Sequence, residues 1–252
     1  FRTDPRGRKR RLTPEKSIRI QLRLGSDIVV CLDDCTHPDA PRRDQDRSVR
    51  RTIAWARRCR EEFDRLAGDR EPRPLLFAVV QGGRDPALRR QCVEGLVEIG
   101  FDGYCFGGWP FDAQGAFVRD AVALTAELLP GDRPKFALGI GNPLALADCH
   151  RMGYRLFDCA LPTRDARRGR LYAFTSADAL DYRRIYIRDA AYHDDPDPVS
   201  EHCDCRCCRD YSRAYLHHLF AVGDVLAWRL ATIHNLRFYA MLTERLRAIG
   251  AP

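Results

Sequence analysis

Apolar residues recur along this chain in two alternating rhythms. "DIVVCLDD" (27–34), "LLFAVVQGG" (75–83), "GYCFGG" (103–108), "KFALGIGNP" (135–143) and "RLFDCALPTR" (155–164) each open on a short, near-continuous apolar run. Such runs fit strands covered on both faces. Between them lie longer stretches with helical spacing. In "SVRRTIAWARRCREEFDRLAG" (48–68), Val49, Ile53, Ala56, Phe63 and Leu66 fall near one face, with arginines on the others. "TPEKSIRIQLRLG" (13–25) predicts a helix with Thr13 as N-cap, Pro14 at the first helical position and Gly25 as terminator. "DPALRRQCVEGLVEIG" (85–100), "AQGAFVRDAVALTAELL" (113–129) and the short "LALADCHRMG" (144–153) complete the set.

Apolar strands alternating with amphipathic helices predict a parallel sheet covered by helices. Polar residues and glycines gather where the strands end: Asp33 and Asp34, Gln81, Gly107 and Gly108, Gly141, and Asp158. In a (β/α) barrel that end is the active-site face, and a doubly wound sheet also binds ligands there. Five strands do not close an eight-stranded barrel. The expectation is that further strands come from the weakly patterned "GRLYAFTSADALDYRRIYIRD" (169–189) and from residues preceding Phe1.

The acidic, proline-bearing "HDDPDPVSEH" (193–202) reads as a loop leading into "CDCRCC", where Cys203, Cys205, Cys207 and Cys208 crowd together. Disulfides, buried thiols and a metal site are the three alternatives. The chain has 11 cysteines and shows no apolar leader and no apolar run long enough for a bilayer. That predicts a cytoplasmic protein, where clustered cysteines more often hold metal. Cys203, Cys205 and Cys208 supply three soft ligands, and a tetrahedral zinc site needs a fourth. A helix expected over 211–230, followed by "ATIHNL", could bring His234 back to them. Such a site, filled by protein, would be structural, with Cys207 pointing away.

Composition changes this picture little. At 252 residues with 45% apolar content, the chain can build one large core or two small ones. The formal net charge is +7, almost all from arginine, which suits phosphate contacts and base stacking. Skewed genome composition produces the same bias. The basic run "RGRKRRL" (6–12) reads as a solvated arm more than as a binding site.

The stretches "LTPEKSIRIQLRLGSDIVVCLDDCTHP", "FAVVQGG", "GYCFGG", "ALGIGNP", "LFDCALPTRDARRGRLY", "CDCRCCRDYSRAYLHHL" and "LATIHNLRFY", in that order, resemble the tRNA-guanine transglycosylase family over nearly the whole chain. The resemblance implies a (β/α)8 TIM-type barrel, incomplete at its N-terminus in this sequence. Residues 1–192 would form the barrel portion and 193–252 a C-terminal zinc-binding subdomain. It implies exchange of guanine in the tRNA anticodon for a 7-deazaguanine base through a covalent ribosyl-aspartate. Asp158 matches the nucleophile, and a carboxylate suits capture of an oxocarbenium-like sugar carbon. A capping role at a strand end is the plainer alternative for Asp158. Asp33 matches the residue that reads the guanine edge, Gln81 and Gly108 the groups that face the base, and Arg164 and Arg167 the arginines that contact the anticodon. Cys203, Cys205, Cys208 and His234 match the zinc ligands. A homodimer is the expected assembly, with the tRNA anticodon loop and the free base as partners.

The chain departs from the family in places. The family carries an upstream "DSGG" segment whose aspartate is the general acid/base, and this sequence begins after it. That leaves either a piece of a longer protein or a chain without that group. "GGWPFDAQG" (107–115) replaces the usual "GGLAVGE", putting Trp109 and Pro110 in the pocket loop, and Asn142 stands where some members carry a lysine. Two other functions fit the same residues: a 7-deazaguanine transglycosylase acting on DNA, and a non-catalytic RNA-binding partner subunit of a transglycosylase. A plain zinc-stabilised RNA-binding module accounts only for the C-terminal third.

Overall fold

The computed structural model describes residues 11–37, 40–177 and 180–250. Most of the basic run at 6–12 lies outside them. In chain order the elements are α1 (Pro14–Arg23), β1 (Ile28–Val30), α2 (Arg42–Ala67), β2 (Leu75–Val80), α3 (Pro86–Ile99), β3 (Gly103–Phe106), α4 (Arg119–Leu128), β4 (Lys135–Ala137), α5 (Pro143–Arg151), β5 (Leu156–Phe157), α6 (Leu161–Arg167), β6 (Arg170–Phe174), β7 (Tyr182–Tyr186), a 3₁₀ turn (Ala190–Tyr192), α7 (Arg206–Asp210), α8 (Arg213–Val222) and α9 (Val225–Ile249). Among the described residues, no helix is long and apolar enough to cross a membrane.

The chain divides into two compact units, 1–140 with 151–157, and 141–150 with 158–252. The first is built on a parallel sheet in the order β1-β2-β3-β4-β5, each strand beside its successor. A doubly wound sheet reverses its order at a switch point, and this one does not. Period-two alternation gives the sheet two different faces. Leu76, Ala78 and Val80 of β2 pack with Ile18 and Leu22 of α1, Val49, Ala56 and Phe63 of α2 and Leu88, Cys92 and Leu96 of α3. Phe77 and Val79 turn the other way, onto Cys105, Ile28, Val30, Phe136, Leu138 and Leu156, a cluster supplied by strands and strand ends alone. One face is thus helix-covered and the other filled by strand side chains, the arrangement of a barrel wall.

Helix starts follow their caps. Thr13 Oγ1 accepts from the Lys16 amide, and Asp85 Oδ1 accepts from the Ala87 and Leu88 amides at the start of α3. The fourth helix begins at Arg119, later than its apolar spacing predicts. Residues 111–117 instead close a small hairpin, with a Phe111–Phe117 bridge and Asp112 Oδ1 accepting from the Gln114 and Ala116 amides. A side chain that caps its own turn competes with helix there.

In the second unit, residues 169–189 do not extend the parallel sheet, contrary to expectation. They form an antiparallel hairpin, with Arg170 opposite Tyr186 and Phe174 opposite Tyr182. Connection length dictates that these two strands pair antiparallel. Parallel strands need a crossover of about a dozen or more residues, and the seven residues between β6 and β7 suffice only for a hairpin. The single helix expected over 211–230 is two helices. It breaks at Gly223, which adopts a left-handed conformation (φ 74°), and Asp224 then caps α9 by accepting from the Leu226 amide. His234 accordingly lies within α9. A core of Leu171, Ala173, Ile185, Ile187, Leu216, Phe220, Leu230 and Ala231 joins the hairpin to α8 and α9.

Candidate active site and metal centre

In the first unit, three strand ends converge. Asp33 follows β1, Gln81 follows β2, and Gly107 and Gly108 follow β3. Gln81 is buried, and its Nε2 donates to Asp33 Oδ2 at 2.5 Å. Burial pushes the Asp33 carboxyl above its ordinary range, more than the bond from Gln81 lowers it. The neighbouring Asp34 is engaged elsewhere: its carboxylate accepts from Arg51 on α2 at 2.9 Å, its amide donates to Thr52 Oγ1, and Ser48 Oγ donates to its carbonyl. The two adjacent aspartates are thereby separated, one facing the sheet end and one tying the loop to α2. Gln45 adds a second tie, donating from Nε2 to the His37 carbonyl at 3.0 Å.

Close approach explains Gly107, and a positive φ explains Gly108. A Cβ on Gly107 would lie 2.3 Å from Val79 Cγ1 and 2.7 Å from Gln81 Nε2. Gly108 has φ +101°, and a Cβ there would meet Gln81 Oε1 at 3.5 Å. The amide of Gln81, the carboxylate of Asp33 and the backbone at Gly108 thus form one polar cluster.

Arg89, which the sequence reading passed over, holds this cluster from beneath. It is fully buried on α3. Its Nε donates to the Gly83 carbonyl, Nη1 to Val80 and Nη2 to Gly107, at 2.9, 2.9 and 3.0 Å. It clamps the carbonyls at the ends of β2 and β3, and burial lowers its pKa to about 10. A signal was present: Arg89 shares the stripe of Cys92, Val93 and Leu96, where periodicity calls for an apolar residue.

In the second unit, Asp158 stands exposed, three residues ahead of the start of α6. Arg164 and Arg167 are exposed on α6. The helix is held by its buried side: Asp165 accepts from the Tyr172 hydroxyl at 2.5 Å and from Arg170 at 3.5 Å.

Cys203, Cys205, Cys208 and His234 come together, all buried, with their ligand atoms within 4.8 Å of one another. His234 Nδ1 lies 3.7 Å from Cys205 Sγ and 3.2 Å from Cys208 Sγ. Ligands about 2.0–2.3 Å from a tetrahedral ion sit roughly 3.3–3.8 Å apart, so three thiolates and one imidazole fit a single metal ion here. The other ring nitrogen, Nε2, is 2.8 Å from the Tyr172 carbonyl, which fixes the tautomer and turns Nδ1 toward the sulfurs. Cys207 is buried and lies outside the group.

The chain spans 63% of the length of the curated relatives it matches. Proteins named queuine tRNA-ribosyltransferase from Shewanella sp. (strain W3-18-1) and Shewanella denitrificans are each 43% identical to it over 247 residues, 98% of this chain. One of the same name from Shewanella sediminis is 41% identical over the same length. A family model described as queuine tRNA-ribosyltransferase matches residues 1–249. With the polar cluster at the strand ends and the Cys3His group both present, the chain belongs to the queuine tRNA-ribosyltransferase family.

Proposed function

We propose that this chain carries the guanine-reading and nucleophilic parts of a tRNA-guanine transglycosylase, a pentosyltransferase that replaces guanine in the anticodon with a 7-deazaguanine base. The observation that carries this reading is the Asp33–Gln81 pair at the ends of β1 and β2. A carboxylate at this position accepts from both N1–H and the exocyclic amine of guanine, which adenine does not offer. The second N–H of Gln81 and the Gly108 amide face the base oxygen. Site-built polar groups of this kind discriminate strongly, because a wrong base leaves them unpaired.

Asp158 is the nucleophile in this reading. Its carboxylate attacks the ribose C1′, the bond from C1′ to the base N9 breaks, and the base leaves with the bonding pair. The family resemblance assigns its proton to the upstream aspartate. The incoming base gives its N9 proton back to that same aspartate, its N9 attacks C1′, and the C1′–carboxylate bond breaks with its pair returning to Asp158. Arg164 and Arg167, exposed on α6, draw in the anticodon phosphates and bases. Cys203, Cys205, Cys208 and His234 hold a zinc ion. Four protein ligands fill its shell, so it supplies structure and no reacting water. The sheet belongs to a (β/α)8 barrel, incomplete at its N-terminus in this sequence, whose portion here is 1–192, and 193–252 act as the zinc-binding subdomain. The working form is a cytoplasmic homodimer.

The test uses the full-length protein mixed with tRNA without an incoming base, followed by a denaturing gel. A protein–RNA adduct is expected, discharged by a free 7-deazaguanine. Asp158→Asn should bind tRNA and give none. Wild-type adduct yield from Asp158→Asn would place the nucleophile elsewhere. Adduct with single-stranded DNA alone would favour a DNA-modifying enzyme, and tRNA binding with no adduct from wild type would favour a partner subunit.

A further inference from the structure

The "HN" pair in "ATIHNL" contributes a metal-site histidine, and beside it Asn235, which neither the metal nor the exchange reaction explains. Asn235 is fully buried. Its Nδ2 donates to the carbonyls of Pro162 and Arg170, both at 3.0 Å, and its Oδ1 accepts from the Tyr172 amide at 3.3 Å. Both donors of the side-chain amide and its acceptor are used, each on backbone. Pro162 is in the first turn of α6. That helix has seven residues and no side-chain cap, so it cannot hold itself in place.

One turn further along α9, the Tyr239 hydroxyl donates to the Gly141 carbonyl at 2.6 Å. Gly141 lies against the residue after Asp158: a Cβ added to it would fall 1.7 Å from Cys159 Sγ. The same helix therefore grips the chain on either side of Asp158, through Asn235 at α6 and through Tyr239 at the Gly141 turn. His234 lies beside Asn235 and ties the metal group to the carbonyl of Tyr172, the same residue whose amide Asn235 engages.

We infer that Asn235 is a positioning residue. It fixes the start of α6, and with it the direction of Asp158 and the reach of Arg164 and Arg167. This rests on Asp158 being the nucleophile.

The experiment follows adduct formation in single turnover, in the full-length protein, for wild type, Asn235→Ala and Asn235→Asp. Metal content and amide exchange are measured alongside. In Asn235→Ala, the rate constant for adduct formation should fall about tenfold or more, the scale on which losing its three buried hydrogen bonds would loosen a reacting geometry. The fraction of protein that finally reacts and the metal per chain should stay at wild-type levels. A merely structural role would do the reverse, lowering the reacting fraction and leaving the rate constant alone.

Asn235→Asp keeps the size of the side chain and carries the test if the alanine variant does not fold. Its carboxyl oxygens set acceptors against the two carbonyls, so its rate constant should also fall about tenfold or more. Amide exchange across 161–167 should quicken in both variants while 225–233 stays protected. Wild-type rate constants in both variants, with full metal and full reacting fraction, would overturn the role. If the wild-type protein itself forms no adduct, the nucleophile assignment fails. The exchange data then decide separately whether Asn235 holds α6, and unchanged protection across 161–167 would refute that hold.

Discussion

The two units place their chemistry by opposite means. In the first, polar groups come at the ends of regular strands, and each is near in sequence to the element that aims it: Asp33 three residues past β1, Gln81 one past β2, Gly107 one past β3. A repeating architecture aims them, and a buried arginine trims their backbone. In the second, the buried polar groups are assembled from segments far apart: His234 meets Cys205 and Cys208 across 29 and 26 residues, and Asn235 meets Pro162 across 73. One region spends its order on backbone ladders, the other on individual side chains and a metal group. The second should accordingly be the more sensitive to single substitutions.

The largest effect should come from breaking the metal group. Cys208→Ala removes one of the four residues that could hold a metal ion, and structural zinc binding is coupled to folding with apparent energies of about 10–16 kcal/mol in small zinc modules. Elemental analysis should show metal lost, and circular dichroism should show helix lost. Cys207→Ala, one residue away, should keep one metal per chain. Full metal content in a Cys205→Ala, Cys208→Ala double variant would remove the assignment.

Next in size is Asp33→Asn. The change keeps the shape and sets a donor against the donors of guanine. Guanine exchange should fall on the order of a hundredfold or more, with tRNA binding little altered. Exchange at the wild-type rate would show that the first unit does not read the base through this residue.

How far the sequence disclosed these regions follows from the same contrast. Strand and helix order in the first unit was legible because local periodicity, caps and glycines act within a few residues of one another. Thr13, Asp85 and Gly25 behave as their types predict. In the second unit, the α8–α9 break was concealed by apolar spacing that continues across Gly223, and the hairpin at 170–186 was taken for further strands of the parallel sheet because pairing partners are not a local property. The four metal-group residues were legible because their chemistry is unusual at any separation. Arg89 and Asn235 were not, since an arginine in an arginine-rich chain and an asparagine in a helix look ordinary until their buried partners are seen.

A smaller effect sharpens the comparison within the first unit. Gly107→Ala forces a Cβ to within 2.3 Å of Val79 and 2.9 Å of the Val80 carbonyl. It should cost about 1–3 kcal/mol in denaturant unfolding, typical of overpacking, and should displace Gln81. Gly131→Ala, where nothing lies within 4 Å, should leave stability nearly unchanged. Equal losses from both would mean that the strand ends are not tightly packed.

The smallest effects concern pH, and two carboxylates of the first unit pull in opposite directions. Glu15 on α1 accepts twice from Arg58 on α2, at 2.7 and 3.0 Å, and that bond lowers its pKa from 4.5 to about 2. Its folded form favours ionisation, so its stabilisation is complete above 4.5 and is lost as pH falls toward 2. The pair is solvent-exposed, so the contribution is small. Asp33 is the reverse: burial raises its pKa above the ordinary 3.8, so the fold favours the protonated form. Its ionisation costs stability as pH rises from 3.8 through the raised value, and that cost persists at neutral pH. Unfolding free energies measured across the acid range should separate the two. Glu15→Gln should flatten part of the loss in acid. Asp33→Asn, still able to accept from Gln81, should be more stable than wild type at pH 7, with the difference shrinking as pH falls. If Asp33→Asn is instead less stable at pH 7 and the gap widens with pH, the carboxylate is favoured by its surroundings, and the strand-end cluster stabilises its charge before any base arrives.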